Sequence, residues 1–253
     1  MFVRKGKRGR RIPFVAIQDV DLRVEDGEFF CLLGPTGCGK STILRMVAGF
    51  VPPTQGSIAV HGRPVRKPGS DRGVVFQGDS SLFPWLTARE NVEYGLRVRG
   101  IARSERQRIA AEHMELVGLA GREDLFPHEL SGGMKQRVQI ARVLANDPAI
   151  LLMDEPFGAL DAQTRSVLQK ELQRIWDATR KTVLFITHDI EEAVLLGDSI
   201  AVMTAGPAAK IKVIRGVELP RPRSIVDPRV LALRELLRSD IEAEAIKAMG
   251  QSE

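Results

Sequence analysis

The chain has 253 residues, 43% of them apolar and 27% charged, which is enough apolar content for a packed interior and excludes wholesale disorder. No apolar run exceeds five residues (the longest are Phe29 to Leu33 and Ala149 to Met153), far short of the roughly 20 that a membrane-spanning helix requires. The net charge of +5 sits at one end: Arg4, Lys5, Lys7, Arg8, Arg10 and Arg11 fall within the first eleven residues with no acid among them, leaving 31 basic against 32 acidic residues from Ile12 onward, so the body carries no nucleic-acid signature.

In chain order, residues 1–11 read as a basic, disordered arm, although such an arm can also lie on anionic lipid or RNA. No apolar stretch of about 7–15 residues follows it, so no signal peptide is expected and the chain reads as soluble and cytoplasmic. Ile12 to Val24 alternates loosely and predicts one or two strands, with a turn at Glu25-Asp26-Gly27. Glu28 to Leu33 is a short apolar run that feeds a glycine-rich loop, and Ser41 to Phe50 has helical spacing. Strand, loop and helix in that order form the first unit of a parallel α/β sheet. Gly73 to Phe76, Ala149 to Met153, Val183 to Ile186 and Ile200 to Met203 are further apolar runs, as strands covered on both faces require.

Between the strands at 73–76 and 149–153, residues from about 78 to 146 predict an inserted helical subdomain. Ser104 to Gly118 carries a capping box, Ser104 with Gln107. Ser131 to Ala145 puts Met134, Val138, Ala141 and Ala145 on one helical face, and Thr164 to Thr179 does the same with Leu168, Leu172 and Ile175. After Ala205 the chain turns proline- and arginine-rich, as in Leu219-Pro220-Arg221-Pro222-Arg223, and closes with a helix from about Pro228. The expected organisation is therefore the arm, one α/β domain over 12–205, and an extension over 206–253. Cys31 falls in a predicted strand and Cys38 in the glycine-rich loop, so no disulfide is expected.

Gly34-Pro35-Thr36-Gly37-Cys38-Gly39-Lys40-Ser41, followed by Thr42, fits the phosphate-loop pattern G-x-x-x-x-G-K-[ST]. Glycines let successive backbone N–H groups curve around phosphate oxygens, and the helix that follows directs its positive end at the same anion. Lys40 would reach the β- and γ-phosphates and the Ser41 hydroxyl would ligate Mg²⁺. By average composition the pattern arises by chance in on the order of 1% of chains this long, and the flanking strand and helix reduce that further. Cys38 reads either as a reactive thiol near a helix start or as a small residue in a crowded loop. Guanine-specific relatives carry N-K-x-D, and neither Asn91 nor Asn146 precedes a lysine, so ATP is favoured.

Ala149 to Met153 ends in Asp154 and Glu155. Two adjacent carboxylates repel unless a cation or a reacting water uses them. Beside a phosphate loop, Asp154 is expected to support Mg²⁺ and Glu155 to act as general base on the attacking water. Leu130-Ser131-Gly132-Gly133-Met134-Lys135-Gln136-Arg137 offers a second anion site, with Ser131 as N-cap and two glycines exposing the first N–H groups of a helix.

The stretches GPTGCGKST, Gln77 after Val74-Val75-Phe76, LSGGMKQR, ILLMDEP, Ala159-Leu160-Asp161 and Thr187-His188-Asp189 occur in the order of ABC nucleotide-binding domains. The chain resembles that family over about Ile12 to Gly206, most closely its importer branch for nitrate, sulfonate, taurine or bicarbonate. The resemblance implies a P-loop NTPase (RecA-like) core with N-terminal antiparallel strands and an inserted helical subdomain. It implies that Gln77 is the Q-loop residue near Mg²⁺ or the water, His188 the switch histidine at the γ-phosphate, and Asp161 the D-loop aspartate at a dimer seam. Ser131, Gly132 and Gly133 would then bind the nucleotide held by a second copy, so that two chains close on two ATP molecules beneath permease subunits served by a solute-binding protein. An exporter, or an ABC ATPase of lipid traffic, DNA or ribosomes, is the alternative. Met134 replaces the glutamine often found after the two glycines. Phe14 is the one aromatic in reach of the adenine-stacking position and reads equally as a core phenylalanine. Ser80-Ser81-Leu82-Phe83-Pro84-Trp85-Leu86 reads either as a groove for a permease helix or as packing within the helical subdomain.

Overall fold

The computed structural model describes residues 2–5, 11–77 and 81–250, with the backbone alone for 2–5, 11–13, 243 and 245–250. In chain order the elements are β1 (Phe2–Lys5), β2 (Arg11–Phe14), β3 (Phe29–Leu33), α1 (Lys40–Val47), β4 (Ala59–Val60), β5 (Arg63–Pro64), β6 (Arg72–Val75), α2 (Ala88–Val98), α3 (Arg103–Leu116), α4 (Gly132–Leu144), β7 (Ile150–Asp154), α5 (Ala162–Thr179), β8 (Thr182–Thr187), α6 (Ile190–Leu196), β9 (Ser199–Met203), β10 (Ile211–Gly216) and α7 (Pro228–Gly250). They fall into two compact units, residues 1–68 with 182–253, and residues 69–181.

In the first unit the strands run in the order β10-β9-β3-β8, with β3 parallel to both β8 and β9 and β10 antiparallel to β9. Every residue of β3 and β8 is buried, as the uniformly apolar runs require. Helix α1 packs on β8, α6 on β3 and β8, and α7 on β9 and α6. Asp198 joins the sheet to the tail, because its carboxylate accepts from the Phe29 N–H (2.9 Å) and from the Arg221 guanidinium (2.5 Å). The Leu219 to Arg223 run becomes a cap here: Arg223 donates to the carbonyls of Val194 (2.8 Å), Gly197 (2.6 Å), Val217 (3.2 Å) and Leu219 (3.0 Å), so one guanidinium gathers the end of α6 and the tail. Burial pushes its pKa down to about 10.

In the second unit β6 and β7 pair in parallel, α4 packs on β6, and α2, α3 and α4 pack on one another, with α5 against α4. Leu168, Leu172, Ile175 and Trp176 form the buried face of α5. Among the described residues no helix is long and apolar enough to cross a membrane.

Three local expectations are corrected. The arm over 1–11 was expected to be disordered, yet Phe2–Lys5 pairs antiparallel with Arg11–Phe14; Phe2, Val3 and Ile12 supply the aromatic and β-branched content that favours an extended backbone, while residues 6–10 lie outside the described residues. Of the one or two strands predicted over Ile12 to Val24, one forms and covers only the first three residues, as the end of Arg11–Phe14, because the next residues bond to a loop: Ala208 and Ala209 donate to Val15 and Ala16 (2.8 and 3.2 Å), and Gln18 donates to Ala209 (2.9 Å). The Ser104–Gln107 box is not the start of α3. Arg106 already donates to Ala102 (2.9 Å), so Ser104 is inside the helix and its hydroxyl cannot cap it. The capping box that does form is Thr87 with Glu90, at the start of α2.

Candidate functional site

The phosphate loop lies in the first unit, between β3 and α1. Gly37 and Gly39 have φ of 82° and 98°, a region that strains any residue with a Cβ, and Gly39 is the N-cap of α1. Lys40, the first residue of the helix, is only 4% exposed; its Nζ donates to the carbonyls of Gly34 (2.7 Å) and Pro35 (3.0 Å). Among the described residues it makes no ion pair. A buried ammonium held by neutral acceptors alone is an uncompensated charge, and what compensates it is an anion. The loop rim at Thr36 and Gly37 is exposed, so an anion can reach it.

Three contacts fix the back of the loop. A Cβ on Gly34 would stand 3.1 Å from the Met203 Cβ, one on Gly39 would stand 2.5 Å from Ile17 Cγ2, and one on Gly206 would stand 3.1 Å from the Gly37 carbonyl oxygen. Cys38 is buried, and burial pushes its thiol up although Lys40 pulls it back, so it behaves as a small packing residue rather than a reactive thiol. Cys31 is raised further by burial, and both cysteines are free. Ser41 and Thr42 follow on the first turn of α1, half-buried. Phe14 closes β2, half-buried, three residues before Ile17.

His188 belongs to the same unit. It follows β8, and its corner is fixed on both sides: Thr187 Oγ1 donates to Glu192 Oε2 (2.6 Å) and accepts from the Asp189 N–H (2.9 Å), while Asp189 caps α6. The imidazole is left exposed.

The second unit carries the other residues. β7 delivers Asp154 at its end, and Glu155 follows with φ of 45°, a left-handed conformation that costs a non-glycine residue roughly 1–2 kcal/mol. Gly158 donates to the Glu155 carbonyl (3.1 Å) and closes the turn. A Cβ on Gly158 would stand 2.9 Å from Gln77 Nε2 and 3.7 Å from Glu155 Oε2. The bare glycine therefore lets the Gln77 amide and the Glu155 carboxylate converge on one spot. The sequence offered no reason to single out Gly158; its signal is a glycine three residues beyond a predicted catalytic acid.

Ser131 caps α4 as expected, its Oγ accepting from Met134 N–H (3.3 Å), so the departure at Met134 leaves the cap intact because the bond uses backbone. A Cβ on Gly132 would meet Leu160 (3.5 Å) and one on Gly133 would meet Thr164 (2.9 Å). The two glycines thus lie against the Leu160 to Thr164 segment. Asp161 has a structural task as well: it caps α5 by accepting from Thr164 N–H (2.9 Å), a hydrogen bond that holds its carboxyl below the usual range.

Ser80 lies outside the described residues; the rest of its segment divides. Leu82 and Leu86 are buried, whereas Trp85 is 69% exposed. Phe83 packs on Tyr94 (4.4 Å between ring centroids) and on Trp85 (5.5 Å). A cleft of about 700 Å³ is lined by Phe76, Phe83, Tyr94, Val98, Arg99 and Arg142, among others. Asn91, unmarked in the sequence, organises this segment: fully buried, it accepts from Phe83 N–H (2.9 Å) and donates to the carbonyls of Phe83, Leu86 and Thr87 (3.2, 3.0 and 3.0 Å). A fully buried polar residue on α2 is explained by that satisfied set of bonds.

A family model described as ABC transporter matches residues 17–158. The nitrate import ATP-binding protein NrtD of Synechococcus elongatus is 49% identical over 230 residues, 88% of this chain and 84% of its own. The bicarbonate transport ATP-binding protein CmpD of Synechocystis is 48% identical over 228 residues, covering 88% and 80%. Among solved structures, a dimeric post-hydrolysis state of an ATP-binding cassette bound to ADP and Pi superposes with a TM-score of 0.68 at 32% identity, covering 86% of this chain and 96% of that one. The chain belongs to the ABC transporter family, as one of its ATP-binding and ATP-hydrolysing subunits.

Proposed function

We propose that two copies of this chain close on two ATP molecules and power the import of a small anion such as nitrate, bicarbonate, sulfonate or taurine through permease subunits, at the cytoplasmic face of the membrane. The observation that carries the reading is Lys40, a buried ammonium at a helix start whose contacts are neutral, beneath a glycine loop with an open rim. Relatives named for nitrate import and bicarbonate transport support the solute class, and the dimeric cassette with ADP and Pi supports the paired arrangement.

Residues Gly34 to Thr42 hold the phosphates by backbone N–H groups and by Lys40, and Phe14 stacks on adenine. Ser131, Gly132 and Gly133, with Asp161 beside them, face the nucleotide of the second copy. Ser41 in the first unit, and Asp154 and Gln77 in the second, would each offer an oxygen of the hard type that Mg²⁺ takes. When bound, Mg²⁺ neutralises charge on the β- and γ-phosphates. Glu155 accepts a proton from the water that attacks the γ-phosphorus, Gln77 orients that water across Gly158, and the bond from phosphorus to the bridging oxygen breaks. His188 donates to the γ-phosphate. The cleft beside Phe83 and the exposed Trp85 receive a permease segment, and a solute-binding protein supplies the cargo from the far side.

Reconstitution with the permease and solute-binding protein tests the reading: MgATP should drive uptake of labelled nitrate or bicarbonate, and Glu155→Gln should stop it. Movement of solute out of the lumen of the same vesicles would replace import with export.

A further inference from the structure

The tail beyond β10 has no part in the chemistry above, yet α7 is tied to the nucleotide loop through one short path. Its foot is fixed to β10: Arg215 donates twice to Asp240 Oδ2 (2.9 and 2.8 Å), and Lys212 Nζ donates to the Asp240 carbonyl (2.7 Å). One turn further on stands Glu244, 3% exposed, a carboxylate whose burial demands hydrogen bonds. It pairs with Lys212 (3.4 Å) and accepts from the N–H of Ala205 (3.4 Å).

Ala205 begins the loop that touches the phosphate loop. Thr204 and Lys210 close its neck with reciprocal bonds, Thr204 N–H to the Lys210 carbonyl and Lys210 N–H to Thr204 Oγ1, both 2.9 Å. Gly206 lies against the Gly37 carbonyl, where a Cβ would come within 3.1 Å. Ala208 and Ala209 hold Val15 and Ala16, and the adjoining Ile17 abuts Gly39. The loop thus bears on the phosphate loop directly at Gly37 and indirectly at Gly39, and α7 holds its leading edge.

We propose that Glu244 is a positioning residue for nucleotide binding: by fixing the Ala205 amide it seats the 205–209 loop under the phosphate loop, so that the terminal helix sets nucleotide affinity. The proposal rests on the nucleotide reading of that loop. Coupling of this kind is reciprocal, so nucleotide must in turn steady the Ala205 amide and α7.

Calorimetric titration of the full chain with MgADP tests it. Glu244→Gln should raise Kd roughly fivefold to tenfold, the scale of one ordinary hydrogen bond. Arg234→Gln, which releases α7 from Glu191 on α6 instead, should leave Kd within about twofold. Hydrogen exchange of the unmodified chain supplies a readout independent of any variant: MgADP should slow exchange at Ala205 and over 237–244. Wild-type affinity in Glu244→Gln, equal weakening in both variants, or exchange at Ala205 indifferent to MgADP each overturns the proposal. If the unmodified chain itself fails to bind MgADP, the nucleotide reading falls with it.

Discussion

Replacing Lys40 with Met separates binding from folding more cleanly than any other change at this site. The Met side chain keeps the buried stem but removes the ammonium that Gly34 and Pro35 accept from at 2.7 and 3.0 Å. On the folding side, two charge-assisted bonds are lost at about 1.5–3 kcal/mol each, and the desolvation of an uncompensated buried cation, several kcal/mol, is relieved. These nearly cancel, so stability should change by no more than about 1 kcal/mol, or roughly 2–4 °C in Tm for a chain of this size. On the binding side nothing cancels. One or two charge-assisted bonds to phosphate disappear, about 2–4 kcal/mol, which is roughly 30- to 1,000-fold in Kd. Calorimetry with MgATP, beside a thermal melt of the nucleotide-free protein, reads both quantities. A variant that binds MgATP at wild-type affinity, or one that melts more than about 10 °C lower, refutes the reasoning.

Three further changes test other parts. Glu155→Gln should lower the ATPase rate about 10²–10⁴-fold while nucleotide binding persists; an unchanged rate in a phosphate-release assay removes the general-base role. Trp85→Ala should stop transport and spare basal ATPase, with little change in Tm because the residue is 69% exposed; normal uptake in vesicles would dismiss the docking role. Arg223→Met should cost at least about 3 kcal/mol, since one guanidinium serves four carbonyls within 3.2 Å. A urea melt that moves by less than about 1 kcal/mol would show that water replaces those bonds.

Much of the candidate site is legible in the chain alone because its parts are local. The phosphate loop, the strand ending in Asp154 and the cap at Ser131 each follow from a few consecutive residues, and the structure places the loop between β3 and α1 and the cap at the start of α4. What escaped depends on distant contacts. Gly158 matters because Gln77 arrives beside it from 81 residues upstream. Asn91 matters because a loop wraps it, and β10 forms a strand because β9 presents an edge to it. The Ser104 box failed for a local reason of another kind: a capping pattern is only a cap when the chain before it is extended, and here the helix begins upstream.

Sedimentation of the Glu155→Gln variant saturated with MgATP, alone and with the permease, addresses the paired site most directly. It should run as a dimer, revert to monomer when ATP is withdrawn, and lose the dimer when Ser131 is replaced by Arg. A species that stays monomeric under every one of these conditions would mean that the Ser131 half-site never meets the nucleotide held by another copy's Lys40.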